Sequence, residues 1–135
     1  MAGETTKSTG TKSQAARPFH SCGSCDKQWP TWEAFVLDAG IRLLGLQAVE
    51  QLPDANLLVF EHRCGSSVSL KASQLRPYLL PDPEAGIALP KLFGTEECTG
   101  HCRLVADLSA CERPCINAHD RRLIARVIEL RRAAR

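Results

Sequence analysis

The chain has 135 residues, 44% of them hydrophobic, with seven aromatics, seven cysteines and a net charge of +2. This length suits one domain, or one domain with an appendage. No apolar run approaches the ~20 residues of a membrane-spanning helix, and so small a net charge excludes little by itself. The cysteine content is about three to four times the usual level. A core of this size is commonly stapled by metal or disulfide.

Residues 1–17 are polar, rich in Thr, Ser and Lys, without apolar periodicity, and read as a disordered tail. The start lacks the apolar centre of a signal peptide, so the expected compartment is the cytoplasm, where thiols stay reduced. There a cysteine framework points to metal or redox chemistry before disulfides.

Residues 18–76 read as an α+β unit. The loop 20–29 carries Cys22-Gly23-Ser24-Cys25. Thr31 is a good N-cap, and Trp32, Phe35 and Val36 sit at i, i+3, i+4, so the pattern predicts a short helix over 32–38 that ends by Gly40. Strands follow over 41–49, 57–63 and 67–72, the last alternating Val68, Leu70 and Ala72. The turns between them are Pro53 to Asn56 and Cys64 to Ser67. The result is a three-stranded antiparallel meander with a helix before it. A short helix is expected over 74–80, and Pro77, Pro81, Pro83 and Pro90 mark a linker over 77–91. The segment 92–135 is a cysteine-rich helical unit that closes on a helix over 118–132. Leu123, Ile124, Val127, Ile128 and Leu130 form one face of that helix and arginines the other, so Arg126→Ala or Arg131→Ala should change little. The fold class is α+β.

Two cysteine sets carry the chemistry. The first is Cys22-x2-Cys25 with His62-x-Cys64-Gly65. Two thiolates on one turn and a second pair on a hairpin turn suit tetrahedral zinc. His62 shares a strand face with position 64, which ranks it before His20 as the fourth ligand. The set resembles a zinc ribbon over residues 20–66. It departs from that family in a 36-residue spacer containing a helix and in offering only one cysteine on the second turn. The second set is Cys98-x3-Cys102 with Cys111-x3-Cys115. Each pair would share a helix face, and two such pairs converge on a four-sulfur site. His101 and His119 read as exposed bystanders beside it.

Zinc, two ions in all, is the expected cofactor, with a [4Fe–4S] cluster as the alternative at the second site. The paired Cys-x3-Cys spacing also resembles the disulfide-linked helical hairpins of small mitochondrial import chaperones, which implies disulfides there. A wider resemblance rests on Cys22-x2-Cys25-x3-Trp29, Phe35-x2-Asp38, Leu44-Gly45-Leu46-Gln47, Phe60-x-His62-x-Cys64-Gly65 and Gly94-Thr95-Glu96-Glu97-Cys98-x-Gly100-x-Cys102. These residues resemble a group of small cysteine-rich bacterial proteins over most of 19–130, which implies one unit and no activity.

The functional expectation is a non-catalytic zinc module acting as an adaptor or regulator with a protein partner and no membrane. The alternatives are a thiol-based redox or metal sensor, and nucleic-acid binding through Arg121, Arg122, Arg126, Arg131, Arg132 and Arg135. No P-loop, dinucleotide fingerprint or HExxH motif is present.

Overall fold

The computed structural model describes residues 17–48, 55–86 and 88–134. The tail before Arg17 and the turn at Pro53 and Asp54 lie outside those residues.

The first described element is a short hairpin, β1 (His20–Ser21) against β2 (Gln28–Trp29), with Cys22 to Cys25 in its turn. Helix α1 (Trp32–Val36) follows at once. Thr31 caps it as expected, its hydroxyl accepting the Ala34 N–H at 3.1 Å. Phe35 and Val36 are driven into the core. The meander is β3 (Ile41–Gln47), β4 (Leu57–His62) and β5 (Ser67–Lys71), paired antiparallel in that order. Leu58, Phe60 and His62 of β4 point inward with Val68 and Leu70 of β5, the period-two pattern of a sheet covered on one face.

β3 breaks that period. Its register shifts between Leu43 and Gly45, so Leu44 is the extra residue of a bulge. Gly45 has φ +154°, and a Cβ there would meet the Val105 carbonyl oxygen. Leu46 N–H donates to that same oxygen at 3.2 Å. The bulge glycine thus lets the 104–106 segment lie against the sheet.

Helix α2 (Ala72–Leu79) runs through Pro77, where the sequence places the start of a linker. Leu75 and Leu79 are buried, and Arg76 closes on Asp120 through two bonds of 2.7 and 2.8 Å. This tertiary anchoring outweighs the backbone bond that proline removes. Helix α3 (Ile116–Ala133) starts two residues earlier than its apolar stripe suggests. Leu123, Ile124 and Val127 share one core with Trp29, Phe35, Phe60 and Leu75, and Ile128 and Leu130 pack at its margin. The C-terminal helix therefore belongs to the same core as the meander.

Two expectations about the second cysteine set need correction. Neither Cys-x3-Cys pair lies on one helix: Cys98 is in a loop, Cys102 in a 3₁₀ turn (His101–Arg103), Cys111 in a loop, and Cys115 is the N-cap of α3. Gly100 (φ +90°) and Pro114 break the helical path inside each pair. Nor are the flanking histidines exposed. His119 is buried with its ring over Gly86, and His101 is half-buried against Asp107.

The arginines of α3 differ from expectation as well. Arg131 donates to the carbonyls of Val36 (2.7 Å), Asp38 (3.2 Å) and Ile41 (2.7 Å), and Arg126 donates to Leu79 O. Arg121, 2% exposed, is held by the carbonyls of Ser109 and Asp107. Arg122 pairs with Asp82. No described helix is long and apolar enough to cross a membrane.

Candidate metal centre

Cys22, Cys25, His62 and Cys64 come together at one end of the sheet, and their four ligand atoms all lie within 4.8 Å of one another. Each arrives by a local cause. Cys22 and Cys25 flank the turn of the β1–β2 hairpin, which is closed by Cys22 N–H donating to Lys27 O at 2.8 Å. His62 is the last inward-facing residue of β4, in line with Leu58 and Phe60. Cys64 reaches the same point through the β4–β5 turn, closed by His62 N–H to Ser66 O at 2.9 Å. Strand alternation places His62, but the turn, and not a shared strand face, places Cys64. His20 is elsewhere: it stacks on Trp29 at 6.3 Å and meets Phe35 edge-on.

The two turns repeat one geometry. The residue after each second-position cysteine is left-handed, Asp26 at φ 65° and Gly65 at φ 94°. That conformation aims the next N–H back at sulfur, so Lys27 N–H donates to Cys25 and Ser66 N–H to Cys64. The Ser66 hydroxyl bonds Ser24 Oγ at 2.6 Å and ties the turns together.

Two separations within the cluster are short. Cys22 Sγ lies 3.7 Å from Cys64 Sγ, and Cys25 Sγ lies 3.4 Å from His62 Nδ1. A tetrahedron with metal–sulfur bonds of about 2.3 Å has sulfur–sulfur edges of about 3.8 Å, and a nitrogen at about 2.0 Å gives a mixed edge of about 3.5 Å. Both observed edges fit. Cys22 and His62 are buried, whereas Cys25 and Cys64 reach the surface. An aromatic wall backs the site: Trp29 meets His62 edge-on at 5.3 Å and Phe35 at 5.0 Å. Trp29 Nε1 donates to Asp38 Oδ2 at 2.7 Å, which fixes the ring.

The backbone sets the charge at the cluster. The Ser66 N–H, followed by a bond to His62, lowers the Cys64 thiol to about 6. The Lys27 N–H pulls Cys25 down too, but desolvation and the neighbouring Cys22 and Cys64 outweigh it and leave Cys25 raised. The lowered Cys64 thiol favours the thiolate that a cation would need.

Cys98, Cys102, Cys111 and Cys115 do not close to the same distance, yet all four line a single cavity beneath the start of α3. Burial pushes the Cys102 thiol up against the pull of Arg121. All seven cysteines are free thiols.

No protein-family model, curated protein or solved structure matches this chain. The chemistry of the site rests on its own geometry.

Sequence reasoning missed two contributors. Asp26 takes a left-handed turn position usually given to glycine, and its residue type alone carries little signal. Gly45 serves the bulge; an isolated glycine between apolar residues of a strand is the sign that could have found it.

Proposed function

We propose that Cys22, Cys25, His62 and Cys64 hold one zinc ion, and that the protein is a non-catalytic, zinc-ribbon-like module serving as an adaptor or regulator. The observation that carries this reading is the closure of four ligand atoms to within 4.8 Å from two separate turns. Three sulfurs and one imidazole are soft and borderline donors, which favour zinc over the oxygen-seeking cations. Four protein ligands leave no position for a reacting water, the pattern of structural and not catalytic zinc. The matching N–H···S turns support the ribbon likeness. A protein partner is favoured over nucleic acid because Arg121, Arg122, Arg126 and Arg131 all bond within the chain.

Metal analysis of protein purified under reducing conditions tests the site. His62→Ala should lose one zinc equivalent, and His20→Ala should keep it. A His62→Ala protein that retains all its zinc would overturn the ligand set.

One observation favours a sensor as the second reading: Cys22 and Cys64 lie 3.7 Å apart, and Cys64 is exposed. A peroxide could take two electrons from this pair, forming a disulfide and water and releasing the ion. Zinc release by equimolar peroxide, with a Cys22–Cys64 disulfide in the peptide map, would support it; zinc retained at that dose would exclude it.

A further inference from the structure

The cavity under the N-terminus of α3 is about 10 Å³, room for one water-sized body. Cys98, Cys102, Cys111 and Cys115 all line it, so four soft ligands from different stretches of loop and helix end border one small space, with their sulfurs wider apart than those of the first cluster. Chance burial of thiols explains neither that convergence nor what surrounds each sulfur.

Each of the four sulfurs has its own polar neighbour. Gly100 N–H donates to Cys98 Sγ at 3.3 Å, from the same i+2 position that Lys27 holds to Cys25 and Ser66 to Cys64. Leu92 N–H donates to Cys115 Sγ at 3.2 Å. The Thr99 hydroxyl lies 3.4 Å from Cys111 Sγ. Arg121 Nη1 lies 3.7 Å from Cys102 Sγ, its guanidinium held in place by the Ser109 and Asp107 carbonyls. Hydrogen bonds of this kind support sulfur that carries negative charge. Two further features favour charge there. Cys115 is the N-cap of an 18-residue helix yet makes no capping bond, so its sulfur sits at the positive end of the helix dipole. Asn117, also lining the cavity, has a buried Nδ2 without a partner among the described residues. A metal-bound thiolate would offer it an acceptor.

We propose that Cys98, Cys102, Cys111 and Cys115 form a second metal centre, which takes a single tetrahedral ion of the zinc class and fastens the 91–115 segment to the start of α3. Zinc suits four thiolates at about 2.3 Å, and their protons leave on binding. A cluster of four irons and four sulfides needs far more space than this cavity offers. The proposal is independent of the first site, because the two sets share no residue.

Alkylation mapping by mass spectrometry, on the reduced full-length chain with and without zinc, tests it. Zinc should protect all four of these thiols from alkylation, and the wild-type protein should bind two equivalents. Cys98→Ser/Cys111→Ser should bind one equivalent and lose protection only at Cys102 and Cys115. Cys22→Ser/Cys64→Ser should keep the protection of 98, 102, 111 and 115, which separates failure at one site from failure at the other. Should either variant fold poorly, the wild-type map decides alone. Equal alkylation of the four thiols with and without zinc overturns the proposal. So do two disulfides in protein prepared under reducing conditions, or iron and sulfide in place of zinc.

Discussion

Cys64 and Cys25 belong to one cluster but are shifted in opposite directions. The Ser66 N–H and His62 lower Cys64 to about 6, whereas Cys25 is raised. A depressed folded-state value means that the thiolate's contribution to stability is complete above the ordinary thiol value and is lost as pH falls through about 6. In metal-free protein, Cys64 should therefore alkylate before Cys25 at neutral pH, with its rate falling through a midpoint near 6. Rates at each cysteine from pH 5 to 9 check this, and equal rates at the two residues would contradict it. His62 comes beside the three cysteines because it ends the inward-facing row Leu58, Phe60, His62. That inward placement was legible in the sequence because strand alternation is strict. The left-handed Asp26 was not legible, because it follows from turn closure and not from residue type.

Among the elements, α3 shows where a periodic pattern speaks and where it is silent. The stripe of Leu123, Ile124 and Val127 identified the buried face, and all three are fully buried. The opposite face misled, since an arginine's charge says nothing of the carbonyls it will find. Arg131 reaches three carbonyls at the exit of α1 and the start of β3. Arg131→Ala should cost about 1.5–3 kcal/mol, the range for hydrogen bonds made by a charged group. The exposed Arg132→Ala should stay within about 0.5 kcal/mol. Urea unfolding of the two variants measures the difference, and equal midpoints would contradict it. The Cys-x3-Cys spacing predicted paired helices. The chain makes loops there because Gly100 and Pro114 interrupt it, yet the four thiols still meet at one cavity.

For the whole molecule, one core joins the meander to the C-terminal helix. The proline-rich stretch suggested a linker because composition reports backbone stiffness and not burial. Pro77 lies inside α2, and the adjoining Arg76 binds Asp120 of α3 with both side chains buried. Breaking such a buried pair commonly costs about 3–5 kcal/mol. The α+β class and the meander were legible because alternation and turn residues are local signals. The docking of 104–106 on the β3 bulge is a long-range contact that no local pattern announces. Because packing already holds α3, chelation should loosen the two cysteine turns, the 91–115 segment and the first turn of α3. Hydrogen exchange should leave 120–131 protected; loss of protection there would show that metal and not packing anchors the helix.

Cys22, Cys25, His62 and Cys64 are proposed to hold one ion through three sulfurs and one nitrogen. X-ray absorption at the zinc edge, on the full-length zinc-loaded protein and on His62→Ala, tests it most directly. Wild type should show sulfur at about 2.3 Å and a nitrogen shell at about 2.0–2.1 Å. The ratio should be three to one if this site alone is filled, and seven to one across two ions if the four-cysteine cavity is filled as well. His62→Ala should lose the imidazole scattering. A wild-type spectrum without sulfur, or imidazole scattering unchanged in His62→Ala, would contradict the account.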